Sequence, residues 1–366
     1  MGKIVSIATG VPDHKHLQED IFSFADTIYS NSEQDSRKLK FLYRHSDINT
    51  RYSTIPDYSL PAEQRQFYSK EKNLEPFPDL EKRMEWYGNY AAPLSVKTIR
   101  DCIAGKINSD EITHLITVSC TGMSAPGLDL EIMEAMNLPS DIFRTSINFM
   151  GCYAAMHGIK LAAALCSNDP SANVVVVCTE LCTLHFQKEN SVDNITSTLL
   201  FADGCAAVLM QHDKSKLKGL LMKSFFSDVA FNGKKDMSWR LSSKGFLMTL
   251  SGYVPGLVKE DFNKLVTKAI DNAGMKKEDI NYWCIHPGGK KILEAIQQTV
   301  EITATDLKYS WQVLNEYGNM SSPTILFVLQ KILQELQLEQ ETENSTIFGA
   351  AFGPGLTMET FIAVYD

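Results

Sequence analysis

The sequence contains no apolar run approaching the roughly 18 residues that a membrane-crossing helix needs, so no membrane span is expected. Its opening stretch, MGKIVSIATG, has no signal-peptide core ahead of a cleavage site, which points to a cytoplasmic location. Gly2 and Ser6 fit a loose myristoylation pattern, but the alternation of Ile4, Val5, Ile7 and Ala8 reads as a first strand. Cysteine is sparse, eight in 366 residues, and most lie in apolar surroundings such as VVVVCTE, which excludes a disulfide scaffold and fits a reducing compartment. Basic excess is missing too. A net charge of −9 excludes a general nucleic-acid binder, so an anionic ligand needs a local basic patch. Metal-ligand spacing is also absent: Cys178 and Cys182 are one residue too far apart for a CxxC pair, and no histidine pair has ligand spacing, so no metal is expected. Gly289 and Lys290 lack the Walker spacing of a phosphate loop.

What is present is a soluble, globular composition, 44% hydrophobic and 22% charged, in a chain long enough for two fused units. Compared with itself, the chain shows a repeat. SVKTIRDCIAGKINSDEITHLITV (95–118) and KLVTKAIDNAGMKKEDINYWCIH (264–286) share a helix, a polar turn, and an acidic entry into an apolar strand. Ile112 then matches Ile280. Cys152 lies 40 residues beyond the first and Asn319 39 beyond the second, so GCYAA pairs with GNMSS. Each is followed by an apolar helical stretch and a strand-like run. Two related halves, 1–215 and 216–366, are expected, with strands covered by helices on both faces and the two matched helices buried between layers. A pseudo-twofold relation places the start of one helix, at Cys152, beside the start of the other, at Asn319.

A thiol attacks as thiolate, and a helix N-terminus together with a nearby imidazolium can lower a cysteine pKa from about 8.5. Of the eight histidines, His286, in CIHPGGKKIL, stands at the end of a repeat-matched strand in a glycine-rich turn. Cys152, His286 and Asn319 therefore form a Cys/His/Asn set with no acidic orienter. The Asn amide and the imidazole N–H can both hold an enolate or thioester oxyanion, which favours decarboxylative carbon–carbon bond formation over hydrolysis. Each residue also has a plainer reading: a buried inert thiol, a structural histidine, a helix-capping asparagine.

NFMGCYAA, IHPGGKKIL, YGNMSSPTILFVL and AFGPGLTMET, in this order, resemble the signature segments of the chalcone-synthase-like type III polyketide synthases, whose thiolase fold is a duplicated αβαβα layering. The likeness spans nearly the whole chain and is weakest over residues 30–90. It implies that Cys152 takes a starter acyl group from a coenzyme A thioester and pairs with His286 as thiolate and imidazolium, while His286 and Asn319 bind malonyl-CoA during loss of carbon dioxide. It implies no prosthetic group, a homodimer, and a pyrone, resorcinol or related product. Phe201, in LFADGCAA, matches the family's phenylalanine between coenzyme A tunnel and cavity. Met248 replaces a second family phenylalanine, Cys182 a frequent threonine, and Ala125 a methionine that reaches the partner subunit. Trp239 falls near a position limiting cavity length, and Ser321 joins the substrate-binding set.

Lys40, Arg44 and Arg51, with Lys38, supply a candidate basic rim for coenzyme A in KLKFLYRHSDINTRY, although mixed charges also make an ordinary solvated face. Asp203 is expected to bond backbone in a turn, and Gly353, Pro354 and Gly355 to shape a loop beneath the site. Two other functions compete: an initiating β-ketoacyl-carrier-protein synthase, and a non-catalytic thiolase-fold partner subunit.

Overall fold

The computed structural model describes residues 1–366 apart from 232–233, 253 and 339–342. In chain order the elements are β1 Gly2–Gly10, β2 His14–Leu17, α1 Gln18–Tyr29, α2 Glu33–Arg44, β3 Thr50–Ser53, α3 Leu80–Ile103, β4 His114–Ser119, α4 Leu128–Met136, β5 Phe143–Asn148, α5 Ala154–Asn168, β6 Val174–Leu181, α6 Val192–Leu200 and β7 Asp203–His212. The second half follows as β8 Leu220–Val229, β9 Met237–Ser242, β10 Gly245–Leu250, α7 Val254–Asn272, β11 Tyr282–Ile285, α8 Lys290–Val300, α9 Lys308–Tyr317, α10 Thr324–Leu338, β12 Thr346–Gly353 and β13 Thr357–Tyr365.

Period-two side-chain alternation builds the layers. Along β6, Val174, Val176 and Cys178 join a central cluster, while Val175 and Val177 face an outer one with Ile99 and Leu94 of α3. Along β12, Ile347 and Ala351 turn to the same central cluster, and Phe348, Ala350 and Phe352 turn outward to Leu265 of α7 and Leu293 of α8. The central cluster holds α5 (Ala154, Ile159, Ala162) and α10 (Ile325, Leu329, Ile332). Both helices are apolar or small almost all round because sheet covers them on both sides. The result is the expected duplicated five-layer thiolase architecture, helix, sheet, helices, sheet, helix.

The repeat is visible in the pairing. In the first half β4 runs parallel to β6, β6 antiparallel to β7, and β7 antiparallel to β1. In the second, β11 is parallel to β12, β12 antiparallel to β13, and β13 antiparallel to β8. Among the described residues the half-sheets join through only two pairs, Lys3–Leu221 and Ile4–Leu220. The halves differ at one element. β5 extends the first half-sheet beside β4, whereas the matching stretch of the second half is helix α9, whose Ser310, Val313 and Leu314 are buried at helical spacing.

Candidate active site

Cys152 stands between β5 and α5. The preceding Gly151 has φ +81, and a Cβ there would lie 2.2 Å from Cδ of Pro354, so only glycine allows this close approach. The Gly151 N–H donates to Cys120 Sγ at 3.0 Å. Among the described cysteines Cys152 alone is half-buried; the other seven are buried. Burial pushes its thiol up to about 11, against hydrogen bonds from Ser321 and Asn319 that pull it down and the Glu180 carboxyl that pushes it further up. The expected lowering of this thiol is therefore not met, because burial outweighs the hydrogen bonds that favour the thiolate.

His286 ends β11 and is 2% exposed. Its backbone N–H donates to the Ala350 carbonyl at 2.9 Å, and its own carbonyl accepts from Gly288 N–H at 3.0 Å, which fixes the turn. Its Nδ1 is buried with no hydrogen-bond partner among the described residues, and burial pushes the imidazole down to about 3. Burial thus favours the neutral form of both the thiol and the imidazole.

Asn319 sits between α9 and α10 and is 3% exposed. Its Nδ2 donates to the Gly288 carbonyl at 3.2 Å, and its Oδ1 accepts from Ser321 N–H at 2.8 Å, so the two neighbours settle the amide's orientation. Its backbone bridges the end of α6: Asn319 N–H donates to Leu200 O, and Ala202 N–H to Asn319 O, both at 2.9 Å, with Phe201 between them.

Cys152, His286 and Asn319 line one cavity, and so do Phe201, Met248, Cys182, Trp239 and Ser321. Trp239 and Met248 are direct cross-strand neighbours on the β9–β10 hairpin, and Trp239 Nε1 donates to the Cys120 carbonyl at 2.7 Å. Lys40 and Arg44 lie outside the cavity on α2, Lys40 with its ammonium over the Phe22 ring. Arg51 does line the cavity, but as a buried residue rather than as part of an exposed basic rim. It is 3% exposed, and its Nε and Nη1 are spent on Gln18, Thr198 and Phe201. Asp203 does bond backbone, but across the fold: it accepts Thr54 N–H and Thr183 N–H, each at 2.8 Å, and is buried enough to be pushed up to about 6.

Glu180, at the end of β6, was not singled out from sequence. Its carboxyl accepts Cys120 N–H at 2.9 Å, Thr121 Oγ1 at 3.0 Å and Ser322 Oγ at 2.6 Å, joining the two halves beneath Cys152. Burial pushes it up to about 7. The signal was there: an acid closing an otherwise apolar run, VVVVCTEL, must find buried partners. His185 was missed as well. Its Nδ1 accepts Phe246 N–H at 3.1 Å, so Nε2 carries the proton and donates to Thr121 O at 2.7 Å. Among the described residues no group of three or more His, Cys, Asp or Glu side chains could hold a metal.

Comparison with known proteins agrees with this layout. Residues 1–214 match the model of the N-terminal domain of chalcone and stilbene synthases, and residues 222–364 that of the C-terminal domain. The "Alpha-pyrone synthesis polyketide synthase-like Pks18" of Mycobacterium tuberculosis is 31% identical over 361 residues, 97% of this chain and 89% of that one. "Type III polyketide synthase C" of Arabidopsis thaliana is 26% identical over 372 residues, 99% of this chain and 95% of that one. The crystal structure of PKS-I from the brown alga Ectocarpus siliculosus superposes with a TM-score of 0.93 at 26% identity, covering 100% of this chain and 98% of that one. The chain belongs to the chalcone and stilbene synthase family, the type III polyketide synthases.

Proposed function

We propose that this type III polyketide synthase loads an acyl-CoA starter on Cys152 and extends it with malonyl-CoA. The carrying observation is that Cys152, His286 and Asn319 open on one cavity, with the Asn319 amide held at Gly288 and Ser321 and its other hydrogen directed at the Cys152 sulfur, where the acyl and malonyl groups meet. In the first step the Cys152 thiol passes its proton to His286 and attacks the starter thioester carbonyl; coenzyme A leaves as its thiol with that proton. In the second, malonyl-CoA binds with its thioester oxygen at His286 and Asn319. The bond to the carboxylate breaks, carbon dioxide leaves, and the electron pair becomes an enolate held by these two donors. The enolate carbon attacks the acyl-Cys152 carbonyl and the thiolate leaves. Apolar walls from Ile21, Trp239, Leu250 and Phe352 suit a fatty or aromatic starter, and a pyrone or resorcinol-type product follows from cyclisation of the extended chain.

For the coenzyme A phosphates, Lys40 and Arg44 are joined by Lys290, which pairs with Asp47 at 2.9 Å and so brings the end of α2 to the start of α8. Lys290 and Lys291 open α8, where a helix normally prefers acids, and α8 also carries the cavity-lining Ile292. A homodimer fits the outer edge of β5, where Phe143 is 71% exposed. Eight free cysteines fit a reducing, cytoplasmic setting. Among the described residues no helix is long and apolar enough to cross a membrane.

Intact-protein mass spectrometry tests the reading. Wild type given a fatty or aromatic acyl-CoA gains one acyl mass, Cys152→Ala gains none, and added malonyl-CoA releases carbon dioxide. Equal labelling of both proteins overturns the nucleophile assignment. Extension only by malonate bound to a carrier protein would instead favour an initiating ketoacyl synthase.

A further inference from the structure

The last carbonyls of a helix have no partner within it. At the end of α6 four successive carbonyls find partners elsewhere. Nη1 of Arg51 donates to Thr198 O at 2.7 Å and to Phe201 O at 2.6 Å. Nε2 of Gln18 donates to Leu199 O at 3.0 Å, and Asn319 N–H donates to Leu200 O at 2.9 Å. Arg51 Nε donates to Gln18 Oε1 at 2.9 Å, so the two side chains form one unit with a settled amide orientation.

Among the described residues no carboxylate forms an ion pair with Arg51, although it is 3% exposed, with the Tyr43 hydroxyl beside it. Its charge faces the negative end of the α6 dipole, with the Asp203 carboxyl acting on it from nearby, and its Nη2 has no hydrogen-bond partner among the described residues. The Arg51 stem also fills the space behind Gly318. That residue has φ +68, and a Cβ there would stand 2.9 Å from both Cγ and Cδ of Arg51. Arg51 thus touches the residue before Asn319 and the carbonyl of Phe201. None of the described hydrogen bonds of Gln18 or Arg51 reaches the Cys152 loop, whose backbone is set by Cys120 and Pro354 instead, and the bracket meets it only where Asn319 bonds the Cys152 sulfur.

We propose that Gln18 and Arg51 are positioning residues that hold Phe201 and Asn319 in register across from Cys152, and that they govern the malonyl half-reaction while leaving acylation of Cys152 nearly untouched. This rests on the assignment of Asn319 to the malonyl thioester. A buried cation serves better here than an apolar residue because its Nη1 satisfies two orphan carbonyls at once while its Nε holds Gln18, a pair of nitrogens that lysine lacks.

The test separates the two half-reactions in the full-length protein. Acyl loading is followed by intact mass with hexanoyl-CoA, and decarboxylation by carbon dioxide release from carboxyl-labelled malonyl-CoA. Arg51→Gln is expected to load within about threefold of wild type and to lose about tenfold or more in carbon dioxide release, the cost of a slightly misplaced donor. Arg51→Lys should fall between. Gln18→Leu, which removes the contact to Leu199, should show the same split and serves if Arg51→Gln does not fold. Carbon dioxide release within about twofold of wild type, or equal loss of both half-reactions, overturns the proposal. Hydrogen exchange gives a readout free of activity. In the variants it should quicken over 197–204 and 315–322 and stay unchanged over 148–156; uniform exchange in all three overturns the bracket. A wild type that neither loads nor decarboxylates refutes the functional reading alone, and exchange still decides the bracket.

Discussion

The side-chain nitrogen of Asn319 stands 3.2 Å from the carbonyl oxygen of Gly288, two residues beyond His286. The contact joins the start of α10 to the turn after β11, so the two expected oxyanion donors are set by one bond. Replacing Asn319 by aspartate puts an acceptor against that carbonyl and removes the donor. Asn319→Asp should therefore lower carbon dioxide release from malonyl-CoA by about 10² to 10³. Acylation of Cys152, read by intact mass, should persist. Loss of acylation in step with decarboxylation would show that Asn319 acts on both steps.

That Cys152, His286 and Asn319 meet at one cavity was legible in sequence because each ends or begins an element of the repeat, and repeat spacing carries a position from one half to the other. The buried strands were legible for a local reason as well: VVVVCTEL is apolar on both faces. Helix α9 was hidden, because the repeat alone calls for a partner to β5 and the helical spacing of Ser310, Val313 and Leu314 overrides it. Arg51 was misplaced because a charge in a mixed stretch looks solvated, while its partners Thr198 and Phe201 lie about 150 residues away in sequence. The Cys152 thiol was misjudged for the same reason: the helix dipole is local, whereas the burial that raises it comes from distant segments.

Glu180 makes stability depend on pH. Its carboxyl ionises near its ordinary 4.5 when unfolded and near 7 in the fold, because burial disfavours the charged form. The folded state therefore holds the proton more tightly. Its contribution is full below about pH 4.5, falls as pH rises through about 7, and is level above. Glu180→Gln keeps an acceptor for Cys120 N–H and Thr121 and an amide that can donate to the Ser322 hydroxyl. Chemical denaturation should find it equal to wild type near pH 4.5 and more stable at pH 8 by up to about 3 kcal/mol, the size of such a shift. No gain at pH 8 would mean that Glu180 is ionised in the fold at no cost.

Trp239 bears on product size. It lines the cavity beside its strand partner Met248, with His185 and Phe246 edge-on to its ring at 5.5 and 5.9 Å. Trp239→Ala opens the wall and frees the Cys120 carbonyl, at a stability cost of up to about 3 kcal/mol. Mass spectrometry of products from starters of increasing length should show longer acyl groups accepted or more extensions completed. A destabilised variant with an unchanged product distribution would make Trp239 a purely structural neighbour of Cys120.

The outer edge of β5 bears on assembly. This six-residue strand ends the sheet, and among the described residues no strand pairs with its outer side. Residues Phe143, Arg144, Thr145, Ser146 and Asn148 are exposed along it, and Phe143 is 71% exposed with its ring stacked on His114. The proposed homodimer would set this open edge and its aromatic against a second copy across a twofold axis, so that each contact occurs twice. Burying one Phe143 ring is worth about 2 kcal/mol, so losing both weakens a dimer by about 4 kcal/mol, on the order of a thousandfold in dissociation constant. Sedimentation of wild type should give the mass of two chains, and Phe143→Lys should move it toward the mass of one, with unfolding temperature as the control for folding. A wild type that sediments as one chain at micromolar concentration, or a Phe143→Lys variant that stays paired, would place the contact elsewhere.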